Sequence, residues 1–200
     1  MLAVAILAAG ESRRMGSPKA LLQYQGKTFV EHLIEVATHP RVGIVRVVLG
    51  AKAEEIRSEL EIDGASIVVN ENWQAGQLSS IQAAIRSLPE GAVESLMLCP
   101  VDHPIISREV IAQLISAFDA SGRSITLPVF NGRRGHPVIF RSNLFDELLA
   151  ASPELGARQV VWAHPEEVEE VSTNEEGVTL NIDNPSTYNA LVEKTKQRSP

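Results

Sequence analysis

Short apolar runs alternate with amphipathic stretches from the start of this chain. Leu2–Ala8, Ile44–Leu49, Ser66–Val69, Leu96–Cys99 and Ser124–Leu127 are continuously apolar or β-branched, the pattern of buried parallel strands. Helical patterns lie between them. Thr28-Phe29-Val30-Glu31 reads as a capping box, followed by an apolar face of Phe29, Val30, Leu33, Ile34 and Ala37. Ala53–Leu60 predicts a short helix carrying Ile56 and Leu60. Ser79 or Ser80 is expected to cap a helix with Ile81, Ala84, Ile85 and Leu88, ended by Pro89. Ser107 precedes Val110, Ile111, Leu114, Ile115 and Phe118 at helical spacing. Strand–helix alternation of this kind predicts an α/β fold, a three-layer α/β/α sandwich around a mostly parallel sheet.

After Leu127 the rhythm changes. "PVFNGRRGHPVIF" reads as two extended pieces around a Gly-rich turn, followed by a helix from Ser142 with Leu144, Phe145, Leu148 and Leu149. A second helix is expected over Gly156–Ala163, and Asn184-Pro185 starts a final one. No repeat or linker divides the chain. One domain is expected over 1–195, with residues 196–200 as a frayed tail.

Composition narrows the function classes. The 200 residues carry a formal net charge of −7, so a general nucleic-acid footprint is not expected and any anion must be held by a local cluster. A single cysteine, Cys99, excludes an internal disulfide and fits a reducing compartment. "MLAVAILAAG" lacks a basic n-region and reads as a first strand rather than a signal segment. No apolar run reaches the roughly 18 residues of a membrane span. A cytoplasmic protein without a membrane partner is expected.

The candidate chemistry begins where the first strand ends. "LAAGESRRMGSPKALL", Leu7–Leu22, sets Gly10 and Gly16 around Arg13 and Arg14, with Lys19 close behind. In an open α/β sheet, ligands bind at the carboxyl ends of strands. Glycines there let several backbone N–H groups converge on an anion, and phosphate is the natural occupant. Neither a Walker loop nor G-x-G-x-x-G is present, because Met15 stands where the Walker loop needs its second glycine. A solvated turn with surface arginines is the plainer reading of the composition alone.

These residues resemble the signature of the MobA-like NTP transferases, nucleotidyltransferases with a Rossmann-like sheet, and within them the branch that attaches a nucleotide to molybdopterin. The resemblance spans nearly the whole chain. It implies an NTP-binding half over 1–105 and an acceptor-binding half over 106–195. It also implies that Leu7, Ala8, Ala9, Gly10, Ser12, Arg13 and Gly16 bind nucleotide. Arg14 would join Gly10 and Gly16 at the β- and γ-phosphates, and Lys19 would meet the α-phosphate. "VVNENWQAGQLSSI" carries over Asn70, Gly76 and Ser80 to the nucleoside, although helix capping also explains serines there.

"LMLCPVDHP" puts Asp102 just beyond a strand, between Pro100 and Pro104. A carboxylate facing a triphosphate requires a divalent cation between them, and the family's matching aspartate holds the metal. Asp183 in "NIDNP" is a second candidate ligand or, equally, a cap for the last helix. "NGRRGHPVIF" matches the family's acceptor segment, which implies Arg133, Arg134, Gly135, His136 and Pro137 as acceptor-binding residues. Glu154 in "PELGARQVV" joins them, standing where the family has aspartate. The implied cofactor is Mg²⁺, with Mn²⁺ as substitute.

The resemblance thus implies transfer of CMP from CTP to the phosphate of molybdopterin, with release of pyrophosphate. CTP follows from Ala9, because Leu-Ala-Ala-Gly accompanies the cytidine branch and Leu-Ala-Gly-Gly the guanine branch. A GTP-dependent enzyme and a sugar- or polyol-phosphate nucleotidyltransferase are the alternatives. A non-catalytic nucleotide or cofactor chaperone is the rival of another class. A molybdoenzyme or its chaperone is the implied protein contact.

Overall fold

The computed structural model describes residues 1–60 and 62–198. Strand β1 (Leu2–Ala8) is buried at every position and lies between β4 (Val42–Leu49) and β6 (Ser95–Pro100), parallel to both. Strand β5 (Ser66–Val69) continues the parallel set beside β4. On the other side, β9 (Val138–Arg141) runs antiparallel to β6 and to β7 (Ile125–Phe130), and β10 (Val168–Ser172) pairs parallel with β7. The sheet order is β10-β7-β9-β6-β1-β4-β5, with the two-residue β8 (Arg133–Arg134) on β7. A separate ribbon pairs β2 (Gln23–Tyr24) with β3 (Lys27–Thr28). The mostly parallel sheet is present, with β9 as its reversed strand.

The period-2 alternation of β1 divides the core into two layers. Leu2, Val4, Ile6 and Ala8 face a cluster built with α1 (Phe29–Val36), α2 (Ala53–Glu59), α4 (Arg108–Ser121) and α7 (Pro185–Arg198). Ala3, Ala5, Leu7 and Ala9 face the cluster of α3 (Gln77–Arg86), α5 (Phe145–Ala150) and α6 (Arg158–Ala163). Each fully buried leucine or phenylalanine contributes about 1.5–3 kcal/mol, so both faces of the sheet are firmly covered.

Local signals behave as their chemistry dictates, with three corrections. Thr28 and Glu31 form the reciprocal capping box of α1, and the Ser107 hydroxyl accepts from Val110 N at 3.1 Å to cap α4. Helix α3, however, starts at Gln77 with Gly76 as its N-cap (φ +94°), so Ser79 and Ser80 lie inside the first turn instead of capping it. Helix α6 starts at Arg158 and not at Gly156, whose φ of +65° is left-handed and interrupts a right-handed helix. Residues 196–198, expected as tail, continue α7, and 199–200 lie outside the described residues.

Candidate active site

A cleft of about 460 Å³ opens at the carboxyl ends of β1 and β6, where an open α/β sheet binds its ligands. Leu7, Ala8 and Ala9 form one wall as β1 ends, and Gly10, Ser12, Arg13, Arg14, Pro18 and Lys19 continue it. Trp73, Gly76, Gln77 and Ser80 bring the entrance of α3 to the opposite side, and Ile56 comes from α2. Val101, Asp102 and Asp183 close the far end.

The loop after β1 is folded around Ser12. Its φ is +56°, its carbonyl accepts from Met15 N at 2.9 Å and Gly16 N at 3.3 Å, and its hydroxyl accepts from Lys19 N at 3.0 Å. Met15 turns inward to the core. Gly16 lies outside the cleft lining but takes φ +78°, a conformation that a side chain would strain. Pinned in this way, the loop leaves Gly10 and the arginines at the cleft and delivers Lys19 to its floor.

Lys19, with a side chain only 13% exposed, stands between two carboxylates, one from the middle of the chain and one from near its C-terminal end. Its ammonium is 3.5 Å from Asp102 Oδ2 and makes a short hydrogen bond to Asp183 Oδ1. Arg14 donates to Asp183 Oδ2 at 3.0 Å. Partial burial pushes the Asp183 carboxyl up, but the bond and charge of Lys19, with Arg14, outweigh this and hold it below the ordinary aspartate value. The two carboxylate-bearing segments are joined by Ile182 N donating to Asp102 O at 2.7 Å.

The cap of α7 is not Asp183 but its neighbour. Asn184 Oδ1 accepts from Thr187 N at 3.0 Å and so caps α7, which leaves the Asp183 carboxylate to the cleft. Asp102 and Asp183 are hard oxygen donors of the kind that suits Mg²⁺ or Mn²⁺. No group of three or more His, Cys, Asp or Glu able to hold a metal occurs among the described residues. A two-carboxylate set fits a cation whose remaining positions are filled by phosphate oxygens and water.

Asn70 is buried behind the wall. Its amide donates to Ser79 Oγ at 2.8 Å and Ser80 Oγ at 3.0 Å, and its Oδ1 accepts from Asn72 N at 3.0 Å. It therefore positions the serines of α3 and leaves Ser80 to reach the cleft.

The residues assigned to the acceptor stand outside the cleft lining. Arg133 and Arg134 are exposed on β8, and Arg134 pairs with Glu170 at 2.7 Å. Gly135 meets the last 3₁₀ turn so closely that a Cβ would lie 2.3 Å from Val178 O. His136, followed by Pro137, packs its ring 4.7 Å from that of His103, beside Asp102. Burial, then the neighbouring His103, push His136 down to about 4 against the pull of Asp102. Glu154 is exposed and, among the described residues, bonds only to Ser152 within its own turn. Gln77 and Ile56 line the cleft without having been singled out. The helix start after Gly76 points to Gln77, whereas Ile56 carries only an ordinary core signal.

Residues 4–168 match the MobA-like NTP transferase domain. The chain belongs to the MobA-like NTP transferase family. Nicotine blue oxidoreductase of Paenarthrobacter nicotinovorans is 29% identical over 186 residues, covering 89% of this chain and 90% of that protein. A probable molybdenum cofactor guanylyltransferase of Bacillus cytotoxicus is 32% identical over 132 residues, 64% of this chain and 62% of its own. The match to the longer bifunctional protein GlmU of a Synechococcus strain covers only 28% of that protein. Among solved structures, Rv0371c of Mycobacterium tuberculosis superposes with a TM-score of 0.83 at 25% identity, over 96% of this chain and 97% of that one. Rv0371c is also described in complex with manganese. Membership of the MobA-like family identifies the chain as a nucleotidyltransferase, and the cleft lies where that fold binds ligands.

Proposed function

We propose that this nucleotidyltransferase moves a nucleoside monophosphate from GTP to the phosphate of molybdopterin, with Mg²⁺ or Mn²⁺, and releases pyrophosphate. The observation that carries the reading is Lys19 set between Asp102 and Asp183 at the floor of the cleft. A site for a neutral ligand has no use for two converging carboxylates and a buried ammonium, whereas charged phosphoryl transfer does.

On this reading the residues take the following roles. The backbone of the loop after β1, with Arg13 and Arg14, receives the β- and γ-phosphates. Lys19 offsets charge developing at the α-phosphate. The acceptor phosphate oxygen forms a bond to the α-phosphorus, the bond from that phosphorus to the bridging oxygen breaks, and pyrophosphate leaves. Asp102 and Asp183 would hold the divalent cation, which when bound neutralises phosphate charge. The acceptor is already anionic, so the chain supplies positioning more than activation. Arg133, Arg134 and His136, on the β7–β9 connection, are proposed to guide it.

The choice of base rests on the relatives. Ala9 suggests CTP; it lines the cleft, and it is also a buried member of the core cluster, so its methyl group serves packing as well. Relatives named as guanylyltransferases support GTP instead. Incubation of the purified chain with molybdopterin and an equimolar GTP–CTP mixture, read by mass spectrometry, is expected to give the guanine dinucleotide and pyrophosphate. A cytosine product alone overturns the base, and absence of pyrophosphate overturns the transfer. The match to nicotine blue oxidoreductase, which extends along most of both chains, favours a redox reading as the second choice, and turnover of nicotine blue without pyrophosphate release would establish it.

A further inference from the structure

Tyr188, in the second turn of α7, makes two hydrogen bonds to the backbone of a single distant residue. Its hydroxyl donates to Gln23 O at 3.1 Å and accepts from Gln23 N at 3.2 Å. One phenol thus satisfies both main-chain groups of Gln23, as a neighbouring strand would. The ring also stands edge-on to Phe29, at 6.0 Å between centroids and 70° between planes, and Phe29 is fully buried.

The placement matters because of what precedes each partner. Gln23 follows the short 3₁₀ turn Lys19–Leu21 that carries the cleft lysine, and Tyr188 follows Asp183 at the head of α7. Two contacts therefore join the same pair of segments, the Lys19–Asp183 ion pair inside the cleft and the Tyr188–Gln23 bonds outside it. Helix α7 is largely polar along its length, with Leu191 buried in the core and Tyr188 packed against it. Tyr188 follows Asp183 by five residues, with α7 starting at Pro185 between them, a short lever. Asp183 itself leans on Lys19 and on Arg14, whose side chain is 72% exposed.

We infer that Tyr188 is a positioning residue for the active site, acting through the Gln23 backbone to hold Asp183 against Lys19. This rests on the nucleotide-transfer reading of the cleft. A carboxylate displaced by a fraction of an ångström loses much of its value to a phosphate-bound cation, because such sites depend on tight geometry.

The test is a double-mutant cycle of Tyr188→Phe and Asp183→Asn, read by calorimetric affinity for GTP and for CTP in the presence of Mn²⁺. Tyr188→Phe keeps the ring against Phe29 and removes both hydrogen bonds, so its melting temperature is expected to fall by only about 2–4 °C. Triphosphate affinity is expected to weaken about five- to tenfold, the scale of a lost hydrogen bond. In the Asp183→Asn background the same change is expected to have no further effect on affinity. Effects that multiply across the cycle, or affinity unchanged in Tyr188→Phe, overturn the inference. A wild-type chain that binds triphosphate but releases no pyrophosphate overturns only the transfer reading, and the cycle still reports on Tyr188.

Discussion

The ammonium of Lys19 stands 3.5 Å from the carboxylate of Asp102 across the floor of the cleft. Asp102 follows closely on β6, whereas Lys19 is brought to it by the loop after β1 that folds around Ser12. Replacing Asp102 by Asn keeps the shape and removes the charge. The expected result is a fall of about 10²–10³-fold in pyrophosphate release, the range for loss of one preorganised electrostatic group. The melting temperature should change little. A rate near wild type would show that Asp102 does not serve the transfer.

Lys19→Met tests the other side of the pair. It leaves Asp102 and Asp183 facing each other without a cation of the protein between them, and the chemistry loses its group at the α-phosphate. Steady-state kinetics are expected to show turnover lowered by about 10²-fold or more. A change confined to KM would place Lys19 in ground-state binding instead.

Asn70 holds together the wall of the cleft formed where α3 begins. Its buried amide serves both serines of α3 and the Asn72 backbone. Asn70→Ala strands those groups and is expected to lower unfolding stability by about 1–3 kcal/mol, measurable by urea denaturation.

Acid should weaken the fold through its buried histidines. Burial holds His136 down to about 4, and it also depresses His103 and His32 below the ordinary 6.5. Between 6.5 and about 4 the unfolded chain binds a proton at position 136 that the native chain refuses. The stabilisation is therefore present in full above about pH 6.5 and declines as pH falls toward 4. For His136 alone the loss is on the order of 3 kcal/mol. His136→Asn is expected to flatten the pH dependence of urea midpoints between pH 7 and 4.5, and an unaltered slope would contradict this.

Glu154→Ala is expected to leave turnover within about twofold, because the side chain is exposed and, among the described residues, bonds only within its own turn. Surface substitutions of this kind seldom exceed about 0.5 kcal/mol. A large rise in KM for the acceptor would bring Glu154 back to the site.

Much of this was legible in the sequence because it depends on local chemistry. The unbroken apolar runs of β1 and β6 mark strands buried on both faces, whereas β5, read in the same way, is a half-exposed edge strand; Thr28 and Ser107 announce helix starts through hydrogen bonds only a few residues long. The cluster of Gly10, Arg14 and Lys19 was visible for the same reason. What stayed hidden depends on distant partners. Ser79 and Ser80 look like caps until Asn70 claims their hydroxyls, and Asp183 looks like a cap until Asn184 takes that task. Tyr188 gave no signal, since its partner is the backbone of a residue near the other end of the chain.

The reversed direction of β9 carries one more consequence. Consecutive parallel strands need a crossover of a dozen or more residues, but β7 returns to β9 through residues 131–137 alone. Since β7 points the same way as β6, that turn emerges on the Asp102 side of the sheet. The turn pairs with neither β1 nor β4, so the register of β1 against β4 and β6, from which the loop after β1 springs, is set without it. That edge of the sheet is thus assembled from separate connections, one after β1 and one between β7 and β9, so on the proposed reading the acceptor side could diverge while the nucleotide side is kept.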